Sequence, residues 1–373
     1  MAKNRSFLLI RIDDLRRAVA DRLTRLLLGK PTQPSTQPLP GSGVYRIVVC
    51  HLSHSLGNAL LLTPLLQELE RTYPEAEVDI LTRSPVAQEI YGHYFNVRRL
   101  LRMPAHMVGH PLRTLSVLRA LRRTRYDLAI DPDPQSQTSR LLLQRVNADC
   151  KLGFSSRRKS GHVTHSVALP ERLKSKGQLP VYLLRQALHG NTSGDDLANP
   201  YPVPDIRLSD AELAQGRQAL RRLLELRGTQ PLKSGVMGIF ANATGPKLLA
   251  PEWWNAFMRA LEPISPYYQI VEIVPASGQS MLGSHYPAYY SSDIRKLGSV
   301  LANLTTYISL DCGVMHLACA TQVPTLGIFT VTNTAEWGPY GRNDRIVHAS
   351  ERAPEDVARE ILSLCAHAGR QAA

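Results

Sequence analysis

The 373-residue chain lacks several features that would point to particular function classes. Only 6% of it is aromatic, and it carries no recognisable RNA- or DNA-binding motif, so nucleic acid is the weaker partner class. Its five cysteines, Cys50, Cys150, Cys312, Cys319 and Cys365, are odd in number and form no CxxC pair, which suits a reduced compartment. The apolar runs are short, so no helix is expected to span a bilayer, and Phe7-Leu8-Leu9-Ile10 is too short for a secretory h-region. Neither GxGxxG nor GxxxxGK[ST] is present, which argues against a dehydrogenase or a P-loop enzyme. What remains is globular: 43% hydrophobic and 20% charged, with enough chain for two cored domains.

Charge is unevenly placed. The net +13 combines residues 231–373, which hold 10 Lys/Arg against 11 Asp/Glu, with residues 1–230, which hold 34 against 20. The basic excess therefore belongs entirely to the N-terminal part, where it attracts an anionic membrane surface or a phosphorylated substrate. Within residues 1–43, Leu8, Ile12, Leu15, Val19, Leu23 and Leu26 recur at helical spacing among arginines. Such a helix lies in a membrane interface or packs on the protein's own body. The stretch 31–43 reads as a polar, Pro-rich linker.

From Tyr45 strands and helices alternate. Strands are expected at Tyr45–Cys50, Glu77–Leu81, Arg99–Arg102, Leu128–Asp131 and Leu152–Phe154, with helices at Asn58–Tyr73, Val86–Tyr94, Leu112–Arg123 and Thr138–Val146. A second cycle begins with a helix at Asp210–Leu226, capped by Ser209, and a strand at Gly235–Phe240. It runs on to a strand at Thr325–Phe329 and a closing helix from Pro354. This is an α/β chain of two Rossmann-like domains facing each other across a cleft, at 44–205 and 206–350, with residues 351–373 as a C-terminal helix.

Three strand-to-helix turns hold the candidate chemistry. In Asp311-Cys312-Gly313-Val-Met315-His316 a strand ends and a helix starts at once. Free N–H groups there suit a pyrophosphate, Gly313 lets a ligand approach the backbone, and Asp311 suits sugar hydroxyls. In Asn242-Ala-Thr244-Gly245-Pro-Lys247, donors and one cation follow a strand of the same domain. In His51-Leu-Ser-His54-Ser55-Leu-Gly57-Asn58, a glycine again permits close approach.

These segments, in this order, resemble the glycosyltransferase family 9 heptosyltransferases of lipopolysaccharide core synthesis. The resemblance rests on Gly57-Asn58 with Thr63-Pro64, on Tyr73-Pro-Glu-Ala-Glu-Val-Asp79, on Asp311 to Leu317 and on Trp337-Gly-Pro-Tyr340, and covers roughly residues 45–365. It implies a GT-B fold, no cofactor, and inversion without a metal. It also implies an ADP-heptose donor held mainly by the C-terminal domain and a lipid A-core acceptor, with the protein peripheral on the inner face of the bacterial inner membrane. Donor contacts are then expected at Asn242, Thr244, Gly245, Lys247, Glu272, Asp311, Cys312, Gly313, Met315 and His316. Acceptor contacts are expected at Ser55, Gly57 and the basic run Arg157, Arg158, Lys159.

One position departs from the pattern. The family's Gly-Asp carries the general base, and here it reads Gly57-Asn58; an amide orients an acceptor hydroxyl but takes no proton near neutral pH. His54 is the leading substitute base, with Asp131 and Asp133 as alternatives from the next strand end. A relative that has lost transfer and keeps the nucleotide-sugar pocket is the other reading. Asp131-Pro-Asp133 invites a metal, but Pro132 and the resemblance to a metal-independent family argue against one, and no metal ligands are assigned.

Overall fold

A computed structural model describes residues 34–107, 109–155, 163–189, 200–226 and 235–371. The basic amphipathic stretch at the N-terminus and the run Arg157, Arg158, Lys159 lie outside the described residues.

The N-terminal half comprises β1 (Arg46–His51), α1 (Leu56–Leu60), α2 (Thr63–Thr72), β2 (Glu77–Thr82), α3 (Ala87–Tyr91) and β3 (Val97–Arg102). It continues with α4 (Pro111–Arg123), β4 (Tyr126–Asp131), α5 (Gln137–Arg145), β5 (Ala148–Phe154), β6 (His165–Val167) and α6 (Leu179–His189). The strands form one parallel sheet in the order β3-β2-β1-β4-β5-β6, with Val49 of β1 opposite Ile80 of β2 and Ile130 of β4. Central strands such as β1 are buried on both faces, which is why they read as continuous apolar runs, whereas the edge strand β3 is largely open. Asp79, buried in β2, ties the sheet together by accepting from Arg98 and Arg99 of β3 and from the Tyr126 hydroxyl of β4 at 2.6 Å. Tyr73 donates to the Pro40 carbonyl at 2.8 Å, so this stretch of the resemblance holds the fold together.

The C-terminal half comprises α7 (Asp210–Leu226), β7 (Gly235–Phe240), α8 (Pro251–Leu261), β8 (Tyr268–Ile273), β9 (Ala288–Tyr289) and α9 (Ile294–Leu301). It ends with β10 (Thr306–Leu310), α10 (Gly313–Ala320), β11 (Thr325–Phe329), α11 (Thr334–Trp337), β12 (Arg345–His348) and α12 (Pro354–Gln371). Its sheet is also parallel, in the order β12-β11-β10-β7-β8-β9. The architecture is the expected one, two Rossmann-like layers in a GT-B arrangement. Ser209 and Glu212 form a reciprocal capping box at the start of α7.

Three expectations change. The helix over Asn58–Tyr73 is two helices, broken at Leu61 and Leu62: Pro64 has no N–H to continue the ladder, and the Thr63 hydroxyl donates to the Leu60 carbonyl at 2.7 Å. The latter part of the linker 31–43 is docked, with Leu39 buried in the core and its N–H bonded to the Ala187 carbonyl at 2.8 Å. The C-terminal helix α12, set apart above as residues 351–373, is packed into the C-terminal half, where Val357, Ala358 and Ile361 share a core with Trp254 and Phe257 of α8.

The halves are joined by a pinned segment, 200–208. Tyr94 donates to the Asp205 carbonyl, the Thr63 hydroxyl accepts from Asp205 N–H, and the Arg207 guanidinium stacks 4.0 Å over the Tyr94 ring. The two halves then meet where α1 and α10 begin.

Candidate active site

The start of α1 and the start of α10 touch. A side chain on Gly57 would place its Cβ 2.8 Å from His316 Cδ2, and one on Gly313 would place its Cβ 3.1 Å from the Leu56 Cβ. Close approach is what both glycines provide, as expected, but the space above them is filled by the opposite half of the protein.

Around this contact the site has two parts. In the C-terminal half, the turn after β7 and the end of β10 converge: Lys247 Nζ lies 3.2 Å from the Asp311 carboxylate. Lys247 closes a single 3-10 turn that Gly245 opens in the left-handed region, at φ +63. Asn242 stands half-buried on the same turn, with Thr244 exposed. Cys312 follows Asp311, half-buried, with Sγ 3.5 Å from the Ser309 hydroxyl. His316 lies under this pair; burial pushes its imidazole down to about 4, with Asp311 pulling up and Lys247 pulling down, so the ring is neutral near pH 7.

In the N-terminal half, a pocket of about 230 Å³ opens between the ends of β1 and β4 and the start of α6. Asn58, His51, Asp133, Gln135, Lys176 and Trp337 supply its polar and aromatic lining. Asn58 donates its amide to the Ser53 hydroxyl at 2.9 Å, and the neighbouring Ser55 caps α1 by accepting from Asn58 N–H. Asp133 receives the N–H groups of Gln135 and Ser136 on one carboxylate oxygen. His51 is buried beside it; burial takes its imidazole to about 4 against the pull of Asp133, and Nδ1 meets no hydrogen-bond partner among the described residues. Trp337 links the two parts, since its ring centroid lies 6.4 Å from that of His316 and 5.7 Å from the ammonium of Lys176.

Several expected site residues fall elsewhere. His54 is exposed and does not line the pocket; the histidine of that turn which does is His51. Asp131 is fully buried and paired with Arg140 at 2.8 Å, and Arg140 also donates to the Phe154 carbonyl, so this carboxylate holds α5 against the sheet. The two carboxylates of Asp131-Pro-Asp133 thus serve different surroundings. Glu272 is 1% exposed and spends both oxygens on its own loop, accepting from Met281 N–H, Leu282 N–H and the Ser280 hydroxyl. Met315 is fully buried, with its sulfur against Gly327. Lys176 and Gln135 are absent from the sequence-based expectations, and His51 enters them only as the first residue of its turn. Nothing in the local pattern around Lys176 marks it; it enters the site because its loop docks on the other half, Lys176 N–H donating to the Glu336 carbonyl at 3.0 Å.

Residues 292–366 match the family model "Glycosyltransferase family 9 (heptosyltransferase)". That stretch contains Asp311, His316 and Trp337, the C-terminal wall of the site. Over that stretch the chain is similar to glycosyltransferase family 9. The motifs around Gly57, Thr63 and Tyr73 lie outside the matched stretch. The fold of most of the chain is shared with solved heptosyltransferase structures. The glycosyl transferase family 9 structure from Veillonella parvula is 17% identical with a TM-score of 0.66, over 84% of this chain and 88% of that one. The E. coli ADP-heptose lps heptosyltransferase II is 17% identical with a TM-score of 0.66, over 87% and 99%. The E. coli heptosyltransferase WaaC with ADP is 16% identical with a TM-score of 0.62, over 86% and 99%. No curated protein matches the chain.

Proposed function

We propose that the protein is a glycosyltransferase that moves a sugar, heptose from ADP-heptose, to a lipopolysaccharide core-like acceptor with inversion and without a metal. The observation that carries this reading is the Lys247–Asp311 pair, built from two separate strand ends in the C-terminal half, with His316 and Trp337 between it and the N-terminal pocket. A cation suits the diphosphate, and a carboxylate beside it suits sugar hydroxyls. E. coli WaaC has been solved with ADP and with ADP-2-deoxy-2-fluoro heptose, which supports an ADP-linked donor for this fold.

In the proposed reaction the acceptor hydroxyl attacks the anomeric carbon as the bond to the diphosphate breaks. Lys247 takes up negative charge on the departing ADP. Asn58 orients the hydroxyl through its amide oxygen, since its nitrogen is held by Ser53. The proton passes to the Asp133 carboxylate, which replaces the aspartate that the family places at Asn58.

The test is ADP binding and ADP release by the purified full chain. ADP and ADP-heptose should raise its melting temperature while UDP-sugars do so less, because only ligands of the folded state stabilise it. ADP should then be released in the presence of a heptose-deficient lipopolysaccharide. Binding without any release would support the reading of a nucleotide-sugar-binding relative that no longer transfers.

A further inference from the structure

Between Ile90 and Tyr126 the sequence holds eight arginines and no Asp or Glu. Three of them are occupied: Arg98 and Arg99 pair with Asp79, and Arg125 with Asp149. Arg113, Arg119, Arg122 and Arg123 all lie on α4 and are exposed, with no ion-pair partner among the described residues. The helix holds on to the sheet by a narrow strip, with Leu121 fully buried and Val117 and Leu118 packed against the same core. Its opposite face carries Leu112, Leu115, Ser116, Arg119 and Arg123, which follow one another at helical spacing. Leu112 is 81% exposed and Leu115 42%. A water-facing helix has no need of leucines there, and a face for nucleic acid would use arginines without them.

We infer that α4 is a docking helix for an anionic phospholipid bilayer. Its leucines, on the first turns, enter the headgroup boundary, while the arginines of its last turns keep their guanidinium groups at the lipid phosphates. Topology gives the contact a direction. α4 follows β3, so its leucine-bearing start lies at the carboxyl edge of the parallel sheet, the edge where His51 and Asp133 line the pocket. The pocket mouth thus opens beside the bilayer rather than away from it. This surface is separate from residues 1–43, and binding to it requires neither nucleotide nor transfer.

The experiment is co-sedimentation of the full chain with vesicles of equal parts phosphatidylglycerol and phosphatidylcholine, and with phosphatidylcholine alone. The wild type should bind the anionic vesicles and leave the neutral ones. Arg119→Gln/Arg122→Gln/Arg123→Gln should weaken binding about fivefold per arginine, roughly a hundredfold in all. Leu112→Glu/Leu115→Glu should weaken it about tenfold or more. All five side chains are exposed, so melting temperatures should hold. Leu112→Trp provides a second readout, because its emission should shift to the blue on anionic vesicles. Wild-type-like binding by both multiple variants, or no blue shift at position 112 on bound vesicles, overturns the inference. So does binding to a single-stranded RNA in place of vesicles that the leucine substitutions leave unchanged.

Discussion

The two carboxylates of Asp131-Pro-Asp133 show how a two-residue step decides between structure and chemistry. Asp131 ends β4 inside the sheet and is neutralised by Arg140; Asp133 stands past the proline, in the pocket that Asn58 shares. If Asp133 takes the acceptor proton, Asp133→Asn should lower turnover by roughly 10²–10⁴-fold with ADP affinity unchanged, the usual loss for a positioned base. His54→Ala should leave turnover near wild type, since that ring lies outside the pocket. Asn58→Asp placed on Asp133→Asn should restore part of the rate. An active Asp133→Asn variant would remove Asp133 from the reaction. Lys247 stands in the C-terminal part of the site. Lys247→Ala should weaken ADP binding by about 10- to 100-fold, the worth of a charge-assisted hydrogen bond, and should lower the melting temperature, because the buried Asp311 carboxylate loses its cation. Equal ADP affinity by calorimetry would take the lysine out of the donor site. These residues differ in how far the sequence exposes them. Lys247 and Asp311 were legible because each follows a strand in the same parallel sheet, and such ends converge on one edge. Lys176 was not, because its position depends on a loop of one half docking on Glu336 of the other. Glu272 was misread for a related reason: the loop that consumes its oxygens, 280–282, has no pattern of its own.

At the scale of elements, strands buried on both faces were plain in the sequence, as in β7, β10 and β11, where every residue is buried and most are apolar. Short or edge elements were not: β6, β9 and β12 carry too few apolar repeats to stand out from loops. The break between α1 and α2 was signalled by Pro64 but hidden by unbroken leucines on both sides. That break matters, because it frees the five-residue α1 to aim its start at α10. Gly57→Ala tests the contact directly. The added methyl group meets the buried ring of His316, a neighbour with little room to yield. Overpacking of this kind costs about 1–3 kcal/mol. Denaturant unfolding should show that loss, and ADP affinity should fall with it if the α1–α10 crossing holds the two halves of the site in register. Full stability in the alanine variant would mean that the two helices sit farther apart.

For the molecule as a whole, the joint between the halves rests on Arg295 at the start of α9. Its guanidinium donates to the Glu89 carbonyl of the N-terminal half at 2.8 Å, and to the carbonyls of Ile206 and Arg207 in the connecting segment. It also pairs with both carboxylate oxygens of Glu212, at 2.5 and 2.7 Å. That bond to Arg295, with help from Ser209 and against the opposing pull of burial, holds the Glu212 carboxyl down at about 2, from an ordinary 4.5. A carboxyl with a lowered value in the folded state binds protons more readily when unfolded. The pair therefore contributes its full stability above about pH 4.5 and loses it as pH falls toward 2. Glu68, whose burial is outweighed by Arg185 and Arg71, and Asp79, whose burial is outweighed by Arg98, Arg99 and Tyr126, act with the same sign. The diagnostic quantity is thus the difference between wild type and Arg295→Gln. The variant should be less stable at pH 7, by about 3–5 kcal/mol, because a nearly buried partner is removed and three carbonyls lose their donor. Its melting temperature should also fall less steeply than the wild type's between pH 4.5 and 2, since Glu212 then titrates near its ordinary value in both states. Parallel melting curves across that range would show that Glu212 does not depend on Arg295, and the joint would have to be held by the stack of Arg207 on Tyr94 and its pair with Glu70.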